Sequence, residues 1–575
     1  MGLQSLQYCA FLVVVAAVYL HLPVRMQPVF LLGASWVFYA LAMPAMLPVT
    51  IALAVFTYLC GRGLAWRGGA YKTAFLRLGV IGMLGILAFF KYNGLLGGVL
   101  HGWRAVAMPL GISFTSFAAI AYLIDAARGD CEVETSFIRL ALFLNFFATV
   151  TQGPICRAGA LLPQLSAEHR FDAARTVRAL RLYALGLFKY IAVADVLNMV
   201  VDTVFPHYAD YSAPMLILTA VMYTFYLYFS FSGYSEISRA TGLVLGLDLP
   251  ENFKTPFYAT NFSGFWSRWH ISFSSWLQDY LFMPLAWADL GRFGRLPTEL
   301  CVFCVFFASG FWHGSTAPFI IWGLLQAVYR VGEELLHRRF GKPKKRGTPA
   351  RVLWGKRVVV FVLWTISMVF FRVGSAPAAA PLTVGDAFAY LGRCFLGWSP
   401  ARFGGELYAA ASNGFYAKAI MVAAYYVFVV LVLALAINKA AHCKKYFKVA
   451  FFVPVVMSLA VVSTLWMQIY SPEGILNTLL AHIGIDTQPF IHSADQALPS
   501  IAIMSVWQGV GYQMIIFLGG LQNINPALYE AAEIDHASGW QKFKDITLPE
   551  LKPLCIFVFI TVTIGAFRML VQPMV

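Results

Sequence analysis

Two stretches, FWSRWHISFSSWLQDYLFMPL (265–285) and SGFWHG (309–314), decide how the chain is read. Each carries a histidine, His270 and His313, in a sequence otherwise suited to lipid. Ionisable side chains at membrane depth are costly, so each marks a functional hypothesis by default. Read as one helix, 265–285 places Trp266, Trp269, Phe273, Trp276 and Tyr280 on one face, with His270 at its edge. Ser267, Ser274 and Gln278 form a polar flank, and Arg268, Ser275 and Asp279 lie opposite. That pattern predicts an amphipathic element at an interface or dipping inward, not a lipid-facing span.

Working outward, 60% of the 575 residues are hydrophobic and 12% are charged, with a mean hydropathy of +0.70. Globular domains carry about 25% charged residues. The fold class is therefore an all-α polytopic integral membrane protein. The net charge of +15 reports cytoplasmic loops and contact with anionic headgroups. It is scattered through short loops with no basic domain, which excludes nucleic acid as a partner. The nine cysteines have no paired spacing and read as small buried hydrophobes, not as a disulfide framework or a metal site. The first residues, MGLQSLQYCAFLVVVAAVYL, lack a basic n-region and read as a retained span, not a signal peptide.

Span-like runs fall near 6–20, 28–43, 45–60, 78–91, 106–124, 137–150, 182–202 and 213–231. Others follow near 299–312, 317–334, 357–371, 417–437, 449–470, 497–519 and 554–575. The loops 61–77, 337–357 and 438–448 concentrate Lys and Arg and are placed on the cytoplasmic side. TQGPICRAG (151–159) breaks a run, and such backbone is tolerated only where it is buried or lines a cavity. The stretch 373–415 is rich in Pro, Gly and Ala and reads as an external loop.

Several further pieces share an order and spacing: FFKYNG (89–94), PLGISFTSFAAIAYLIDAARGD (109–130), FFATVTQGPICRAGALLPQL (146–165), GLFKYIAVADVLN (186–198), FSGYSEISRATGLVLGLDLPENFKTPFYATNF (231–262) and FWHGSTAPFIIWGLLQAVY (311–329). With 265–285 they resemble the membrane-bound O-acyltransferase family over about 75–398, within its bacterial alginate O-acetylation and teichoic acid D-alanylation branch. The resemblance implies a multi-helix funnel in the bacterial inner membrane. It implies His313 as the catalytic histidine and His270 as the second family histidine. It also implies an acyl thioester co-substrate, acetyl-CoA or an acyl carrier protein, and no tightly bound cofactor. The implied partner is a periplasmic acetyltransferase or other polysaccharide-modifying protein. The chain departs from the family after 285, where AWADLGRFGRL (286–296) replaces a Gly-rich basic turn.

The last part is different. NGFYAKAIMVAAYYVFVVLVLALAINKAAHCKKYFKVAFFVPVVMS (413–458) and LYEAAEIDHASGWQKFKDITLPELKP (528–553) resemble a permease subunit of a binding-protein-dependent sugar importer of the ATP-binding-cassette class. The second piece looks like the cytoplasmic coupling loop, with Glu530, Ala531 and Ala532 in place and His536 where that family has glycine. In that family the loop docks on the ATPase. The division is 1–400 for the acyltransferase part, 401–412 for the junction and 413–575 for a partial permease-like segment.

Acyl transfer from a thioester to a hydroxyl needs a base, dipoles for the tetrahedral oxyanion, and exclusion of water. A buried, neutral His313 suits the first task, because burial disfavours the charged imidazole. The plainer reading of an isolated membrane histidine is a ring bonded to a backbone carbonyl. His270 polarises the thioester carbonyl, orients His313 or holds local backbone. Trp269, Trp276, Arg268, Asp279 and Tyr280 are candidate substrate contacts. Against that, such aromatic residues commonly pack or anchor at an interface, and Arg268 and Asp279 are placed to pair with each other or with backbone. No ligand set for a metal flanks the histidines, and no phosphate loop or G-x-S-x-G element occurs. A transporter subunit working through 528–553 is the competing function.

Overall fold

Backbone polar groups in an apolar setting must pair within their own segment, so runs of this hydropathy fold as helices. The computed structural model describes residues 2–66, 69–96, 106–289, 294–341, 349–376, 381–412, 426–427, 430–431, 434–435, 438, 444–457, 459–482, 486–493 and 496–571. These are helices and connections, with one isolated bridge between Asp289 and Arg295. The chain divides into two units, Met1–Asn413 and Gly414–Val575.

The first unit contains α1 (Leu6–Tyr19), α2 (Gln27–Ala42), α3 (Leu47–Leu64), α4 (Gly69–Leu96), α5 (Ile112–Arg128), α6 (Phe137–Asn145), α7 (Ala158–Leu165), α8 (Ala173–Leu187) and α9 (Asp195–Val204). It continues with α10 (Ala213–Val244), α11 (Phe262–Trp266), α12 (Ile271–Leu277), α13 (Met283–Trp287), α14 (Thr298–His313), α15 (Ala317–Phe340), α16 (Ala350–Gly374), α17 (Val384–Leu396) and α18 (Pro400–Ser412). Among the described residues, five stretches are long and apolar enough to cross a membrane: Pro44–Leu64, Gly69–Asn93, Ala173–Asp210, Ala213–Val244 and Ala350–Gly374. The protein is an all-α, multi-pass membrane protein.

Four sequence expectations change in this unit. The basic stretch 61–77 is not a continuous loop: 61–64 close α3 and 69–77 open α4. FSGYSE (231–236) does not end a span: α10 continues through it to Val244, because nothing in that stretch breaks a helix and Gly233 packs against Gly186 of α8. The stretch 265–285 is not one helix. It turns sharply at His270, whose backbone is left-handed (φ 43°, ψ 55°). The external loop 373–415 contains α17 and α18. Thr383 and Asp386 cap α17 reciprocally, and hydrogen bonds from Thr383 and the Tyr208 hydroxyl hold the Asp386 carboxyl below its usual range. Glu406 of α18 accepts from the Ser212 backbone N–H at 3.1 Å.

Two cores form in this unit. One gathers residues such as Phe38, Tyr122, Phe147, Phe273 and Trp276. The other gathers Phe205, Trp269, Trp322, Trp364 and Met368. The aromatic face predicted for 265–285 is thus divided between them, because the reversal at His270 sends Trp269 and Trp276 in different directions. α14 and α15 cross where Gly310 meets Gly323. A Cβ on Gly323 would lie 2.4 Å from the Phe306 carbonyl oxygen, and one on Gly310 would lie 2.6 Å from that of Phe319. Small residues permit such backbone approach between membrane helices.

In the second unit, Val430, Met514, Phe517, Leu551 and Val558 form the core, between the helices Ala497–Asn523 and Leu548–Val571. The predicted span 417–437 lies largely outside the described residues, as do parts of the loops 337–357 and 438–448 and of 286–296. The predicted span 449–470 is two helical pieces bent by 118°, with Pro454 inside the first, where it removes a backbone donor and crowds the preceding turn. The stretch 528–553 is a helix Pro526–Ile534, a short turn Gly539–Lys542 and the start of the final helix. Lys542 pairs with Glu533 at 2.9 Å. His536 is left-handed, with φ 52°, at the position where the resemblance leads one to expect glycine.

Two outcomes follow from these backbone features. Gly323→Val is expected to cost at least about 1–3 kcal/mol through overpacking, read as a fall in melting temperature of the detergent-solubilised protein. His536→Gly is expected to leave stability unchanged or raise it by up to about 1 kcal/mol, whereas glycine at a right-handed helical position lowers it.

Candidate active site

A helix that starts inside a bundle leaves its first N–H groups without helical partners. For α12 those partners come from LPENF (249–253). Ile271 N–H donates to the Asn252 carbonyl oxygen at 2.9 Å, and Ser272 N–H donates to Asn252 Oδ1 at 3.2 Å. The His270 carbonyl oxygen accepts from Phe273 and Ser274 at 3.0 and 2.9 Å. His270 is therefore held from both sides in a conformation that non-glycine residues rarely adopt. The Gly/Pro break docks on the same helix, with Ile155 N–H donating to Ser272 Oγ at 3.0 Å. Ser238 Oγ donates to the Ala148 carbonyl at 2.6 Å, and the hydroxyls of Thr151 and Tyr234 pair.

His313 is the last residue of α14. The next residue, Gly314, has no room for a side chain: a Cβ there would lie 2.5 Å from the Phe319 ring. The His313 imidazole meets Trp322 edge-on at 5.1 Å and Phe371 at 4.8 Å between centroids. The His270 imidazole meets Phe231 at 4.6 Å and Phe273 at 5.1 Å.

Both histidines line one cavity of about 70 Å³, walled by Phe231, Trp269, Phe273, Trp322, Trp364, Met368 and Phe371. Its wall collects buried polar atoms that have no hydrogen-bond partner among the described residues: His270 Nδ1 and Nε2, Ser309 Oγ, and the indole nitrogens of Trp266, Trp322 and Trp364. Buried polar atoms are ordinarily paired, so such a concentration calls for an explanation. α16 is aligned to the cavity by Gln326, which donates to Ser367 Oγ at 2.8 Å.

A second, polar cleft of about 590 Å³ is lined by Asp125, Arg128, Asp130, Arg157, Asp279, Tyr280, Met283, Pro284 and Trp287. Asp279 pairs with Arg157 at 2.8 Å, not with Arg268, because the reversal at His270 turns Asp279 towards the Gly/Pro break. The Arg157 guanidinium also lies over the Tyr280 ring at 4.5 Å, and the Tyr280 hydroxyl donates to Asp125 Oδ1 at 2.7 Å. α5, which carries Asp125 of the cleft, packs on the end of α3, where a Cβ on Gly61 would lie 2.8 Å from the Tyr122 hydroxyl.

Aromatic rings connect cleft and cavity. Tyr280 meets Trp276 at 5.3 Å, Trp276 meets Phe117 at 4.5 Å, and Phe117 meets Phe273 at 5.7 Å. Of the residues singled out in the sequence, His270, His313 and Trp269 share the cavity, Asp279 and Tyr280 share the cleft, and Trp276 stands between, its indole donating to the Phe117 carbonyl at 2.9 Å. Arg268 lines neither. Asn252, Ser309 and the stripe Trp364, Met368, Phe371 were not singled out in the sequence. The stripe's spacing of four and three residues was the available signal. Among the described residues no group of His, Cys, Asp and Glu is assembled to hold a metal ion.

Residues 131–373 match the model of the membrane-bound O-acyltransferase family. A probable alginate O-acetylase, AlgI, of Azotobacter vinelandii is 31% identical over 64% of this chain and 74% of its own length. A peptidoglycan O-acetyltransferase of Helicobacter pylori is 30% identical over 61% of this chain and 72% of its own. The chain belongs to the membrane-bound O-acyltransferase family. Residues 396–573 match the model of the binding-protein-dependent transport system inner membrane component. Here the lactose transport system permease protein LacF of Rhizobium radiobacter is 39% identical over 21% of this chain and 42% of its own length. That match begins before the boundary at Asn413, so it takes in α18, which belongs to the first unit.

Asn252→Ala removes the side-chain acceptor at the start of α12. It is expected to cost about 1–2 kcal/mol, as lost caps do, and to lower acyl transfer by membranes further than that loss of folded protein explains. A thermal melt and a transfer assay on the same preparation separate the two effects.

Proposed function

We propose that the first unit is an O-acyltransferase that moves an acetyl group from a thioester donor on the cytoplasmic side towards a hydroxyl of an extracytoplasmic polysaccharide, with His313 as general base. The observation that carries this reading is the shared cavity, where two histidines from separate elements meet a wall of unpartnered polar atoms. The two acetylating relatives favour acetyl. The inner membrane is the location that suits both family matches.

In this mechanism His313 accepts the proton of the acceptor hydroxyl as its oxygen bonds to the thioester carbonyl carbon. The carbonyl oxygen becomes the oxyanion, and indole N–H groups of the cavity wall are donors suited to it. The C–S bond then breaks and the leaving thiolate takes the proton from His313. His270 polarises the carbonyl, orients His313 or holds the local backbone. The donor's arm, from acetyl-CoA or an acyl carrier protein, is assigned to the polar cleft, because the aromatic ladder leads from it to the histidines. The acceptor hydroxyl belongs to the polysaccharide or to a periplasmic transferase that completes the transfer.

The second unit supports a second reading, as a permease-like segment that docks an ATP-binding-cassette ATPase. Glu530 and Ala531 are exposed, Ala532 is half-buried, and Ile534 and Trp540 stand 80% and 69% exposed beside them. Apolar side chains so exposed suit a protein interface. Co-purification of an ATPase that is lost on Glu530→Lys would support this reading.

The deciding measurement is transfer of labelled acetyl in membranes. His313→Ala is expected to lower the rate by about 10²–10⁴-fold with unchanged membrane insertion. Unaltered acetylation in that variant would sink the assignment.

A further inference from the structure

FFKYNG (89–94), at the end of α4, meets FWHG (311–314) end to end. The Tyr92 ring stacks on Phe311 at 4.5 Å between centroids, and its hydroxyl donates to the Phe311 carbonyl at 2.6 Å. Asn93 donates to the Val106 carbonyl and accepts from the Val106 N–H, both at 3.0 Å, which fixes the chain beyond the helix. Immediately before these two anchors, Lys91 places its ammonium 4.8 Å from the centre of the Trp312 ring.

A lysine in an apolar helix ordinarily finds a carboxylate or reaches water. Lys91 is partly buried and makes no ion pair among the described residues. It lies over the face of an indole. Such a contact is stronger when it is desolvated. Trp312 is the ring on which the site converges. It packs on His313 at 4.5 Å, on Phe273 at 4.5 Å and on Phe117 at 5.5 Å, and Phe273 in turn stacks on His270. The indole therefore touches one histidine directly and the other through a single ring.

We propose that Lys91 is a positioning residue of the acyl-transfer centre: its unpaired ammonium clamps Trp312, which sets the His313 imidazole and the Phe273–His270 pair, and places a positive charge beside the cavity where the oxyanion forms. This rests on the assignment of His313 to acyl transfer. No bond to Lys91 forms or breaks; its part is to hold the wall and bias the local potential. Lys91 keeps its hold on Trp312 through charge, so arginine can replace it and a neutral chain of equal length cannot.

The test compares Lys91→Met, Lys91→Arg and His313→Ala in the full chain, by labelled acetyl transfer at varied donor concentration. Lys91→Met is expected to lower kcat about tenfold with the donor KM within about twofold, and Lys91→Arg to restore most of the rate. Transfer by Lys91→Met within about twofold of wild type, beside a dead His313→Ala, overturns the proposal and leaves the function standing. Lys91→Arg as defective as Lys91→Met, with both melting lower, also overturns it, since Lys91 would then be a structural brace alone. Active His313→Ala defeats the underlying function instead. Should Lys91→Met fail to fold, Trp312→Leu at intact Lys91 probes the same link, and a wild-type rate there rejects it.

Discussion

The first N–H groups of a helix that begins within an apolar bundle must be satisfied by something outside that helix, and for α12 the provider is Asn252. Everything at the candidate site depends on that arrangement. It holds His270 in a left-handed turn, sends Trp269 into one core and Trp276 into the other, and brings the flank carrying Asp279 against Arg157. With a continuous helix through 265–285, none of those three placements would occur. The cavity is thus a product of a chain reversal at the seam of two cores, and the histidine that marks it is also the residue that makes the turn.

Much of this was legible beforehand. Long apolar runs announce membrane helices through their length alone, and a costly ionisable group within them announces a site. The structure brings His270 and His313 to one cavity. What the residues could not disclose is long-range pairing. Helical spacing suggested Arg268 as partner of Asp279, whereas the partner is 122 positions away. A helical wheel cannot anticipate a left-handed residue in its midst, and no feature of WSRWHIS marks His270 as one. The Pro/Gly/Ala bias of 373–415 concealed α17, although Thr383 and Asp386 have the spacing of a reciprocal cap. Lys91 was visible within FFKYNG but had no apparent role until its indole partner, more than two hundred residues on, stood beside it.

The second unit poses a different physical situation. Its family match covers under half of the permease relative's length, and its core is built mainly from the packing of two long helices around Met514 and Leu551. Its coupling-loop stretch is well formed locally: Asn525 accepts from the Ala527 N–H at 3.0 Å, and Ser538 and Gln541 cap each other. Local formation does not require a complete transporter, because such caps are satisfied within a few residues. The left-handed His536 follows the same logic, since a tight turn imposes its dihedrals whichever residue occupies it.

The main-chain contact between Gly310 and Gly323 separates two jobs that many active sites combine. His313 is located by backbone against backbone, at a crossing that tolerates no side chain on either helix. The shape of the cavity beside it is drawn largely by exchangeable side chains of another helix, Trp364, Met368 and Phe371. Substitutions on α16 can therefore enlarge or narrow the space for an acyl group while the base stays where it is. A scaffold of this kind can diversify in what it transfers by mutating one helix face, with its reactive centre inherited intact.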